Sequence, residues 1–203
     1  MASIIENLIT ELNDEYALYE QLLQVSMEKT GAIVSNNLDR LSETTEKEQR
    51  LADALASVEH RRRETMTNVA NILGKRPDDV KVMDVVTFLE GQPEFHDPLL
   101  AINEKLAKLA RKVREVNGHN QNLIQDALEM IEYNINLMQN LNRATMEYLM
   151  QNLSAGMSLV EVRNLCERFM LENGADSFWY YDVGAFVFSG EETTLSISGK
   201  DYT

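Results

Sequence analysis

Three histidines (His60, His96 and His119), a single cysteine (Cys166) and many carboxylates are the residues of this 203-residue chain whose types could do chemistry. A metal or catalytic site needs such groups at spacings that let them converge. Zinc ligands come as Cys and His pairs a few residues apart, and no histidine here is spaced in that way with Cys166 or with carboxylates. A glycine-rich phosphate loop, a G-x-S-x-G elbow and an H-E-x-x-H helix motif are all absent from the sequence. Asp176 and Asp182, set among aromatic residues, are the best remaining acids, and neither has a titratable partner nearby to work with. The other carboxylates follow helical spacing and read as solvated faces. We therefore expect no catalytic residue and no metal ligand set: this is not the sequence of an enzyme.

Residues suited to holding another protein are plentiful. On a helical wheel of about 100° per residue starting at Leu123, Met130 and Leu137 fall just before the origin. Ala127, Met138, Ile131, Leu149, Ile124, Ile135, Leu128, Met146 and Met150 then follow in turn. The apolar arc covers about 220°, whereas a helix packing on one surface needs little more than about 100°. Gln125, Glu129, Glu132, Asn136, Asn140, Arg143 and Glu147 fill the remainder. Six of the ten methionines lie between Met130 and Met170, and the soft, adaptable thioether suits grooves that accept helices. The candidate partner-binding residues are Ile124, Leu128, Ile131, Ile135, Met138, Met146, Leu149 and Met150, and of the arc only the side carrying Ala127, Ile131 and Met138 is expected to face the bundle. The bland alternative is an internal three-helix core with methionine as gap-filler, and the pattern alone leaves both open.

The elements that must position this face are long amphipathic helices. Ser3 and Glu6 fit a capping box, after which Ile5, Leu8, Leu12, Tyr16, Tyr19, Leu23 and Met27 recur as one stripe. Ser35-Asn36-Asn37 offers a stop and a new N-cap. A second helix reads Leu38, Leu41, Leu51, Leu55, Val58, Met66, Val69 and Leu73, with Gly74 as C-cap. Its polar middle, Glu43 to Arg50, is expected in solvent. After the break at Lys75-Arg76-Pro77-Asp78 comes a short helix through Val80, Met83, Val86 and Leu89. Asp97-Pro98 then signals a new start. The periodic pattern runs from Leu99 through Ile102, Leu106, Leu109, Val113 and Val116 to about Leu153. A helix of that length measures roughly 80 Å, with a kink expected at Gly118. The fold class this implies is mainly α, an elongated antiparallel helical bundle or coiled coil over residues 1–153.

Composition changes after Leu153. Eight of the 14 aromatic residues and five of the nine glycines fall in the last 50 positions, so residues 154–203 read as a separate small α+β piece. Ser158 and Glu161 form a second capping box, opening a helix that ends at Asn173-Gly174. Phe178 to Tyr181, Ala185 to Phe188 and Thr193 to Ser198 have the pattern of short strands.

Charge narrows the partners. With 33 acids against 19 bases the net charge is -14, which repels phosphate backbones and anionic membranes. The one basic run, His60 to Arg63, is flanked by Glu59 and Glu64 and reads as a helix face. Cys166 alone cannot form an intramolecular disulfide, which points to a reducing compartment. No leader pattern and no apolar run of membrane-spanning length is present, so a cytoplasmic protein without membrane insertion is expected.

The order of elements resembles the FlgN family of flagellar export chaperones over about residues 3–153. The resemblance rests on the turn at Thr30-Gly31-Ala32-Ile33-Val34 and on Thr44-Thr45-Glu46-Lys47-Glu48 in the polar helix. It rests above all on Val116-Asn117-Gly118-His119-Asn120-Gln121-Asn122-Leu123-Ile124 leading into Leu128, Ile131 and Leu137. It implies a largely monomeric chaperone that holds the helical ends of hook–filament junction proteins and hands them to the type III export gate. It implies further that the C-terminal part of the long helix takes the substrate, with no cofactor. The tail departs from that family. Gly156 to Val162 and Gly184 to Thr193 resemble the opening segment of a creatinase/aminopeptidase metallopeptidase of the pita-bread fold, cut off before the metal ligands of that fold. That resemblance implies an inactive structural fragment. Two other readings compete with the chaperone: a coiled-coil adaptor that uses the apolar arc for self-association, and a metallopeptidase completed in trans.

Overall fold

The computed structural model describes residues 2–178 and 182–190. It contains five α-helices among the described residues: α1 (Ala2–Val34), α2 (Leu38–Leu73), α3 (Val82–Phe88), α4 (Pro93–Asn152) and α5 (Leu159–Glu172), with a 3-10 turn at Pro77–Asp79. The protein is mainly α. Its packing separates into two compact units, Met1–Ala127 and Leu128–Thr203, divided within α4.

In the first unit α1 and α2 form an antiparallel hairpin. Cross-helix partners fix the direction: Ser26 meets Glu48, Asp14 meets Arg61 and Glu11 meets Thr65. α4 runs parallel to α1, since Leu12 shares a core with Ile102 while Thr30 bonds Asn120. The hairpin turn is set by short polar residues. The Asn37 side chain accepts from the Arg40 amide at 2.9 Å, and Asn36 takes the left-handed conformation at φ 51°. Gly74, at φ 66°, closes α2, and its left-handed backbone is why glycine stands there. The core gathers Ile5, Leu8, Leu12, Met66, Val69, Ala70, Val85, Val86, Leu89, Leu99 and Ile102 at the end of the hairpin away from its turn. Val85 was not in the predicted stripe, which follows every third or fourth residue, and a helix as short as α3 buries adjacent positions instead.

Several expectations need correction. α1 is already helical at Ala2, so Ser3 and Glu6 lie inside it and no capping box forms there. α4 starts at Pro93, not at Asp97-Pro98. The Gln92 carbonyl accepts the amides of Phe95 and His96 at 3.0 Å each, and Phe95 packs on the core, drawing one more turn into the helix. Pro98 therefore sits inside α4, where its missing N–H leaves one carbonyl, that of exposed Glu94, to water. α4 is helical without a break through Gly118. Met27, Leu38 and Met83, placed in core stripes by spacing, are exposed. In α1 the buried position is Ser26 in place of Met27, because a helix of 3.6 residues per turn drifts off a strict repeat. The stretch Glu43 to Arg50 is not wholly solvated: Thr44 is buried and Glu48 half-buried.

These polar groups build a layer between α1, α2 and α4. Ser26 Oγ donates to Glu48 Oε1 at 2.9 Å, and Lys29 Nζ donates to Glu48 Oε2 at 2.7 Å. Thr30 Oγ1 donates to Asn120 Oδ1 at 2.6 Å, and buried Asn120 Nδ2 donates to the Ser26 carbonyl at 2.8 Å. Buried polar groups are tolerated when each has its partner, and here the pairing fixes the register of three helices. The basic run is used in the same way. Arg61 pairs with Asp14 at 3.1 Å and Arg62 with buried Glu15 at 3.0 Å across the hairpin, while His60 and Arg63 face Glu64 and Glu59 within α2.

The second unit contains the end of α4, α5 and the described part of the tail. α5 begins at the predicted capping box. Ser158 Oγ accepts from the Glu161 amide at 3.2 Å, and the Ser158 amide donates to Glu161 Oε2 at 2.7 Å, holding that carboxyl below its usual range. The Ala185–Phe188 stretch is not a strand; among the described residues there is none. Just before it, the Gly184 N–H donates to Glu167 Oε1 of α5 at 3.0 Å, and a β-carbon at Gly184 would collide with the Phe178 ring. Residues 179–181 and 193–198 of the other two predicted strands lie outside the described residues.

Candidate partner-binding site

Among the described residues, α4 is open to solvent where its apolar arc is widest. Every residue from Gln125 to Asn140 is exposed. Leu128 and Ile131 are 55% and 54% exposed, Met138 64%, and Ile135, Met130, Tyr133 and Leu137 are open as well. Farther along, Met146 and Met150 are exposed, Met150 at 79%. A run of large apolar side chains on a helix, in water on all sides, is a strong mark of an interaction surface. Most of the predicted site therefore lies on one accessible helical segment.

Three placements differ from expectation. The side carrying Ala127, Ile131 and Met138 was to face the bundle, yet it is exposed like the other margin. Ile124 is half-buried at the near end. Leu149 is buried, 7% exposed, in the last turns of α4, where α5 packs. Gly156, at φ 96°, lies in the reversal between the helices. Tyr148 then stacks on Phe169 with ring centroids 4.4 Å apart and planes 19° from parallel. Thr145, at 1%, is buried in the same region, and Cys166 is buried on α5, where burial pushes its thiol above the usual range. Thr145, Tyr148 and Phe169 were missed in the sequence: a threonine and a tyrosine do not register as an apolar stripe.

The polar side of this segment is acidic. Asp126, Glu129, Glu132 and Glu147 stand against Arg143, which bonds Asn140 within the helix. The candidate catalytic residues do not assemble. Asp176 accepts from its neighbour Ser177 at 3.1 Å, Asp182 is exposed at a positive φ, and His96 Nδ1 lies 2.7 Å from Asp97. Among the described residues no three His, Cys, Asp or Glu side chains come together as a metal site, and no helix is long and apolar enough to cross a membrane.

A family model described as FlgN protein matches residues 1–152. The chain belongs to the FlgN family. FlgN proteins are chaperones of flagellum assembly, and the match ends at Asn152, the last residue of α4. It takes in the whole exposed segment of α4 and stops before α5. No curated protein and no solved structure matches the chain significantly. The resemblance of the tail to a metallopeptidase opening segment finds no support in these comparisons.

Proposed function

We propose that this FlgN protein is a cytoplasmic export chaperone that binds the helical ends of flagellar hook–filament junction proteins and delivers them to the type III export apparatus. The observation that carries this reading is the exposed apolar segment of α4, with Leu128, Ile131, Ile135 and Met138 in water within the family-matched region. Ile124 extends the surface at one end and Met146 and Met150 at the other. An amphipathic partner helix would lay its apolar face here, and Lys or Arg on its flanks would meet Asp126, Glu129, Glu132 and Glu147. The same acids disfavour pairing with a second copy, which would set like charges together. Binding and release by such packing need no cofactor.

The test is a pull-down of hook-associated proteins by Leu128→Glu, Ile135→Glu and Met146→Glu variants, each paired with a thermal melt. A charge in a desolvated groove carries a large penalty, so binding is expected to be lost, while exposed positions leave melting unchanged. Full binding by all three variants would remove the segment as the site.

A further inference from the structure

The stripe left bare on the middle of α4 does not end where the exposure ends. Ile131, Met138, Thr145 and Leu149 recur seven, seven and four residues apart, and Met130, Leu137, Leu141 and Tyr148 run beside them. These spacings keep one face of an α-helix in line. Along that single face Met130, Ile131, Leu137 and Met138 are exposed, whereas Thr145 and Leu149 are buried and Tyr148 is covered by the Phe169 ring. The change falls where α5 lies. α5 is an amphipathic helix whose inner side carries Leu165, Cys166, Phe169 and Met170, buried or half-buried, with Val160 and Leu171 outside. Met146 and Met150, on the other margin of α4, stay open beside it. The chain thus supplies its own example of a helix seated on this face, anchored by an aromatic ring, and that helix lies beyond the family-matched residues.

We propose that α5 occupies the C-terminal end of the partner-binding face in the free protein, and that an incoming amphipathic helix with an aromatic anchor displaces it to reach Thr145, Tyr148 and Leu149. This rests on the partner-binding reading of α4 given above. A partner helix following the bare stripe from Ile131 toward Met138 meets α5 within two further turns, so the two compete for one surface. The full site then includes Leu149, and α5 sets a threshold: a segment too short or lacking the aromatic contact leaves it in place. Occupation by α5 also keeps the Tyr148 ring covered when no partner is present.

The chain's single cysteine reports the event, because Cys166 is on the covered side of α5, 3% exposed. Maleimide labelling of the native full-length protein is expected to be slow and to accelerate when a hook-associated protein is added to saturation. Phe169→Ala removes the stacking partner while leaving every α4 residue intact. It is expected to speed labelling without partner and to tighten partner binding by about 2- to 10-fold, the range of equilibrium change that one such ring pair accounts for. Circular dichroism checks that the variant keeps its helices. Partner binding with unchanged Cys166 labelling would overturn the displacement while leaving the α4 site standing. Weaker binding by Phe169→Ala would also overturn it, making α5 part of the partner's seat. No binding by either protein would remove the chaperone reading and this proposal together.

Discussion

At the residue scale, Glu15 shows how a helical interface accommodates a charge. It is buried in α1, and burial pushes its carboxyl above the usual range of 4.5, with Arg62 at 3.0 Å pulling the other way. The folded protein therefore keeps a proton that the unfolded chain has released, in the window from 4.5 up to the raised value. Stability from this group falls as pH rises through that window. Glu15→Gln should lose this slope, gaining on the native protein as pH rises, and thermal melts across the window check it; parallel pH profiles for the two proteins would show that Glu15 titrates normally. Packing residues give a second contrast. Leu12 and Leu109 are buried and Leu55 is half-buried. Leu12→Ala should cost about 2–5 kcal/mol and Leu55→Ala distinctly less, read from denaturant unfolding. Equal losses would mean that Leu55 is as enclosed as Leu12. All three leucines are legible as a stripe from spacing. The polar layer of Ser26, Glu48, Thr30 and Asn120 is not, because nothing in the spacing of a serine or an asparagine says that its partners lie on other helices.

At the scale of elements, helix existence was readable and helix ends were readable only where side chains make the cap. Asn37, Gly74, Ser158 and Asn173 mark real ends, since each bonds or frees backbone groups locally. Asp97-Pro98 carries an equally strong start signal and fails, because Phe95 gains core contact by extending α4 backward. Which margin of α4 packs was also hidden. Periodicity measures the width of an apolar arc and says nothing of how far neighbouring helices reach. α1 ends at Val34, a few residues after Thr30 meets Asn120, so the first unit's hairpin closes near the level of Ile124. That geometry changes the prediction for the supposed inner margin. Ile131→Glu and Met138→Glu should leave the melting temperature within the small range typical of surface changes, about 0.5 kcal/mol, and abolish partner capture. A large loss of stability from either would return that margin to the core.

At the scale of the whole molecule, two boundaries fall at different places. Composition changes after Leu153, and the family match ends at Asn152, yet the packing divides inside α4 at Ala127. The two are compatible because they measure different things: composition marks where one kind of sequence gives way to another, and packing marks which residues bury one another. Among the described residues, the core of Leu8, Leu12, Val69, Val85, Leu99 and Ile102 lies wholly before Ala127. Truncation after Leu153 should therefore leave the main cooperative unfolding of the chain unchanged. It should remove the 14 residues of α5 from the helical signal and uncover Tyr148 and Leu149. The last turns of α4 would then fray, since a helix end without tertiary packing is marginal in water. Circular dichroism melts of the full and truncated proteins test the first expectation. Amide hydrogen exchange over residues 141–152 tests the second, with faster exchange confined to that stretch. A lowered main transition would show that residues 154–203 stabilise the bundle itself, and the appendage would have to be counted as part of the fold.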